Sequence, residues 1–139
     1  MKRRRAREAA LRIMFQIDIS KCDENEAIKS VIEASEDLEL DESLIQFAKD
    51  IVSKTVENIV QIDTIIANLS KDWSVNRLSP VDRSILRLAM CEISFFEIPL
   101  AIAIDEALEI SKKYCDYDAP KFINGILGKY AEQIKRKQD

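Results

Sequence analysis

The chain has 139 residues, enough for one compact domain whose core needs neither a disulfide nor a metal. Two Gly and three Pro against 47% hydrophobic and 33% charged residues leave too few turn signals for hairpins and predict an all-α fold. The net charge of −4 hides an asymmetry: Lys2, Arg3, Arg4, Arg5, Arg7 and Arg12 face only Glu8 within the first 12 residues, a net +5, so the remaining 127 carry −9.

Ala6, Ala9, Ala10, Ile13, Met14 and Ile17 recur at helical spacing and predict a first helix with one apolar stripe. Its arginines crowd the start, where they oppose the macrodipole, so without an anion the first turn is expected to fray. A second helix is predicted from Asp23 to Leu38 and a third, continuous, from Asp41 or Ser43 to Leu69. Ser70 to Leu78 reads as the linker between two halves, residues 1–72 and 73–139. Ser79-Pro80-Val81-Asp82 is a helix start, with a hydroxyl cap, proline at the first position and an acid at the third. The run Ile85–Phe96 that follows is apolar almost all round and describes a buried central helix that includes Cys91. Pro99 opens a fifth helix and Asp118-Ala119-Pro120 a sixth, with Ile123, Ile126, Leu127, Tyr130, Ala131 and Ile134 on its inner stripe. The expected architecture is two packed three-helix bundles.

Catalytic readings find little support. The absence of His removes the usual proton shuttle, the commonest metal ligand and the base of a Ser-His or Cys-His pair. Two glycines cannot build a phosphate-binding loop. Cys22, Cys91 and Cys115 are odd in number and never spaced C-x-x-C, so no disulfide framework or zinc site is expected, and no cofactor. No apolar run reaches about 18 residues and no leader peptide is evident, which predicts a cytoplasmic protein. Asp105 and Glu106 are adjacent and diverge by about 100° on a helix, so a solvated or structurally paired acid is the better reading. Gly125 and Gly128 fit close helix packing better than an RNA-binding loop.

A basic end on an acidic body points to a polyanion met at one place. The bland alternative for Lys2–Arg12 is a solvated tail, but five arginines to one lysine suit phosphates and stacked bases. On the sixth helix, Lys121, Phe122, Gly125 and Lys129 share an outward sector. This is a candidate platform for an unstacked base, unless Phe122 packs under the neighbouring half.

Several motifs then occur in order along the chain: Arg3-Arg4-Arg5-Ala6-Arg7-Glu8-Ala9-Ala10, Trp73-Ser74-Val75-Asn76-Arg77-Leu78-Ser79, Asp82-Arg83, Ile85-Leu86-Arg87-Leu88-Ala89, Ile98-Pro99, Ala103-Ile104-Asp105-Glu106-Ala107 and Lys121-Phe122-Ile123-Asn124-Gly125-Ile126-Leu127. With these the sequence resembles the NusB antitermination family. The resemblance implies an RNA-binding factor that pairs with NusE, a ribosomal protein, to hold the boxA element of nascent ribosomal RNA on the elongating RNA polymerase. By motif, Arg3, Arg4, Arg5 and Arg7 are implied phosphate contacts. Asp118, Lys121 and Phe122 form a second part of the RNA surface, with Asn124 structural. Lys129 departs from the acidic or neutral residue expected there and would add RNA affinity. Asp82 and Glu92 are candidates for the NusE surface, or else a helix-start charge and an ion pair with Arg87. The same fold resembles an appendage of certain ribosomal RNA cytosine methyltransferases, whose cofactor-binding α/β domain has no counterpart in these residues. A helical protein adaptor with a basic arm, and a self-associating dimer, are the competing readings.

Overall fold

A computed structural model describes residues 2–70 and 78–138, and these form seven α-helices. Trp73–Arg77 and the expected boundary at residue 72 lie outside the described residues. In chain order the helices are α1 (Lys2–Ser20), α2 (Glu24–Ala34), α3 (Glu42–Glu57), α4 (Ile59–Leu69), α5 (Pro80–Phe95), α6 (Leu100–Tyr114) and α7 (Ala119–Gln138), with a 3₁₀ turn at Glu36–Leu38.

Local chemistry sets the boundaries. Asp23 caps α2 by accepting from the Asn25 N–H, Asp41 caps α3 by accepting from Leu44, and Ser79 caps α5 by accepting from Asp82 with Pro80 in the first turn. The predicted second helix stops at Ala34, and Ser35–Glu39 tighten into the 3₁₀ turn, closed by Glu39 at φ 48°. The predicted third helix is two helices. At Asn58 the backbone N–H turns back to the carbonyls of Lys54, Thr55 and Val56, and the side-chain amide donates to Lys54 as well, so one asparagine ends α3 where the apolar spacing alone continues.

The core is continuous from Ala6 to Tyr130. Helix α5 is central, as its sequence predicts: it packs on α1, α3, α4, α6 and α7, and Ile85, Leu86, Met90 and Cys91 are buried. Helix α1 lies against α2 and α3 in the first half and against α5 and α6 in the second. Its stripe of Ala6, Ala9, Ala10 and Ile13 is fully buried, and the alanines let neighbouring backbones approach closely. No described helix is long and apolar enough to cross a membrane.

Candidate nucleic-acid interface

Helix α1 is regular from Lys2 onward, so the expected fraying of its first turn is not seen. The anion that the turn needs comes from the protein itself. Arg4 forms a fork on Glu106 of α6, with Nε at 3.1 Å and Nη2 at 2.6 Å from the two carboxylate oxygens. That pair holds the Glu106 carboxyl below the usual glutamate range, the hydrogen bond from Arg4 being the main cause, and Glu106 is buried.

The four arginines expected to meet phosphate divide by environment. Arg3 is exposed, its guanidinium stacked 4.5 Å from the centre of the Phe47 ring, which leaves its donors facing solvent. Arg5 donates to the carbonyls of Leu38 (3.0 Å) and Glu39 (2.8 Å) at the end of the 3₁₀ turn. Arg4 stays about one-third exposed outside its pair with Glu106. Arg7, in contrast, is buried. Its Nε sits 2.8 and 3.0 Å from the two oxygens of Glu92, and its Nη1 reaches Glu106 at 3.4 Å. Its guanidinium is committed inside the fold, where it ties α1 to α5 and α6.

Glu92 is corrected by the same observation. Read from sequence as a NusE contact or as the partner of Arg87, it is buried and pairs with Arg7. Arg87 instead forks onto Asp63 of α4 at 2.7 and 2.8 Å. Arg83 meets Asp18 of α1 at 2.6 Å. Asp82 is half-buried at the start of α5, its carboxylate beside the Cys115 thiol, which burial and that contact push well above its usual value. Asp105 is solvated and Glu106 structurally paired, as read from sequence.

On α7, Asp118, Lys121, Gly125 and Lys129 are exposed. Phe122 is half-buried and packs against the core, so it is partly the buried ring of the bland reading and partly open. Gly125 and Gly128 are not close-packing residues: a Cβ at either would meet no atom within 4 Å. Asn124, expected to be structural, is exposed. No described hydrogen bond or ion pair joins these residues to the α1 arginines, and α7 packs on α4, α5 and α6.

Three features were missed from sequence. Phe47, which packs against the core, also carries Arg3 and, at 5.5 Å, Arg7. Phe15 (36% exposed) and Ile19 (53%) line an open groove between α1 and α2 that also reaches Val81, beside Asp82. Tyr117 stands in the α6–α7 turn. The signal for Phe15 and Ile19 was available, since both fall off the stripe defined by Ala6, Ala10 and Met14.

Comparison with known proteins gives a consistent picture. The model of the NusB family matches residues 4–132. A protein of Pelotomaculum thermopropionicum described as transcription antitermination protein NusB is 44% identical over 133 residues, which is 95% of this chain and 90% of that protein. Among solved structures, T. maritima NusB superposes with a TM-score of 0.85 at 36% identity, over 94% of this chain and 90% of that one. A structure titled as antitermination factors NusB and NusE in complex with dsRNA gives a TM-score of 0.83 at 30% identity, over 91% of this chain and 93% of that one.

Proposed function

The chain belongs to the NusB family of transcription antitermination factors, which are not enzymes, and from that premise we propose that it binds the boxA element of nascent ribosomal RNA as single strand, together with NusE, and keeps RNA polymerase processive in the cytoplasm. The observation that carries this reading is the open sector of α7, where exposed Lys121 and Lys129 flank Gly125 and the half-buried ring of Phe122, with free space over the glycine backbone. Cations to meet phosphates, an aromatic edge and an approachable backbone are what an unstacked strand requires. Arg3, and the outer edges of Arg4 and Arg5, supply a second set of phosphate contacts. Arg7 supports them from beneath by fixing α1.

The related complex of NusB with NusE brings NusE into the proposal as partner. The groove with Phe15, Ile19 and Val81 at its walls is the apolar surface that suits a protein partner.

The test is a titration of labelled boxA RNA and a scrambled RNA, with and without NusE, at two salt concentrations. We expect boxA to bind more tightly when NusE is present. Arg3→Ala should reduce the log-log salt slope by about 0.7. Gly125→Ala should weaken RNA binding while leaving the fold intact, and Ile19→Glu should abolish the tightening by NusE. Equal, weak binding of both RNAs under all conditions would leave a basic-armed helical adaptor.

A further inference from the structure

Tyr117 is 97% exposed, more than any other large hydrophobic side chain among the described residues. It stands in the turn between α6 and α7, where the Ala119 N–H donates to the Asp116 carbonyl at 3.0 Å and the Phe122 N–H to the Asp118 carbonyl at 3.4 Å. Asp118 is thus the cap of α7, Tyr117 the residue before the cap, and Phe122 the fourth residue of the helix. Apolar side chains at these two positions ordinarily close on each other and fix the entry of the chain. Here the residues are right for that contact and it is not made: Phe122 packs toward the core and Tyr117 stands in solvent.

The turn beneath the ring is firmly held. The Cys115 N–H donates to the Ser111 carbonyl at 2.9 Å, and the Tyr114 hydroxyl donates to Glu8 at 2.8 Å while accepting from Arg12 at 2.9 Å. Arg4 with Glu106, Glu8 with Lys113 and Arg12 with Tyr114 show α1 and α6 running side by side in the same direction, and the turn carrying Tyr117 follows the last of these pairs in the chain and leads into α7. Lys113 pairs with Glu8 at 2.6 Å and keeps its side chain 56% exposed. Asp116 and Asp118, both exposed, flank Tyr117 and repel phosphate, so the partner that fits against this ring is the neutral face of a base.

Resting on the reading of the protein as a binder of single-stranded RNA, we propose that Tyr117 is a base-stacking residue that receives an unpaired nucleobase where the strand passes from the α1/α6 seam to α7. A ring already out of contact with the protein, on a turn already anchored, needs no rearrangement to accept a base.

The experiment is an equilibrium titration of labelled boxA RNA with the full chain in the presence of NusE, comparing the natural protein, Tyr117→Ala and Tyr117→Phe, with a thermal melt of each. The expected result is that Tyr117→Ala weakens binding about tenfold, as the loss of one stacked base does, while Tyr117→Phe binds like the natural protein and neither variant changes its melting temperature. Natural affinity in Tyr117→Ala overturns the proposal and leaves the RNA-binding reading standing. A Tyr117→Phe variant as weak as Tyr117→Ala overturns stacking in favour of the hydroxyl. A natural protein that does not bind the RNA at all overturns both.

Discussion

Arg3 and Arg7 are one turn apart on the same helix and of the same chemistry, and their surroundings give them opposite roles. Arg7 sits with Glu92 at 7% and 4% side-chain exposure, so removing either partner strands a charge inside the protein. We expect Arg7→Ala to cost about 3–5 kcal/mol in a urea unfolding curve, and a joint exchange of Arg7 and Glu92 for apolar residues of similar volume to recover most of it. Arg3 stacks on Phe47 from the outside, so Arg3→Ala should change stability by less than about 0.5 kcal/mol and act on RNA alone. An Arg7→Ala variant as stable as the natural protein would show that the pair with Glu92 does not hold α1. Burial acts on the thiols too: the Cys91 thiol, enclosed beside the Ile51 carbonyl, is pushed up to about 11 and is chemically quiet while the protein is folded.

At the scale of elements, the start of α1 depends on α6. Arg4 on Glu106 and Arg12 on Asp37 each hold a carboxyl below its ordinary value, 4.5 for Glu106 and 3.8 for Asp37. A lowered carboxyl stabilises the fold at every pH above its unfolded value and loses that contribution as the pH falls through the lowered one. Stability should therefore hold from neutral pH to about 5 and fall below that, as α1 loosens from α6 and from the 3₁₀ turn. Glu106→Gln should lower the melting temperature at pH 7 and flatten the acid side of the profile. A mutant profile parallel to that of the natural protein would remove Glu106 from the acid transition.

For the whole molecule, α1 adds a set of side-chain ties to the packing of α3 and α4 on α5 that joins the helices before residue 70 to those after 78. Its side chains reach Glu92 on α5, Glu106, Lys113 and Tyr114 on α6, and Arg83 on α5 through Asp18. With the core continuous beneath these pairs, the halves should unfold together. Loss of helical ellipticity and exposure of Cys91 to an alkylating reagent are expected at the same denaturant midpoint. Two separated midpoints would show halves of independent stability.

Much of this was present in the sequence. The apolar spacing at 3.6 residues, Ser79-Pro80 and the buried run through Cys91 determined an all-helical chain with a central α5, because helix formation and capping depend on residues within a few positions of one another. The ordered motifs were enough to place the chain among antitermination factors. The break at Asn58 escaped, since the apolar pattern runs through it and the deciding contacts are backbone turns. Tertiary structure alone decided the fate of the charges. The +5 at the N-terminus suggested cations free for a polyanion, yet Arg4, Arg7 and Arg12 meet Glu106, Glu92 and Asp37, carboxylates 25 to 102 residues away. An ion pair forms between groups close in space, whatever their distance along the chain, so which arginines face inward and which stay exposed was settled when α1 docked on α5 and α6.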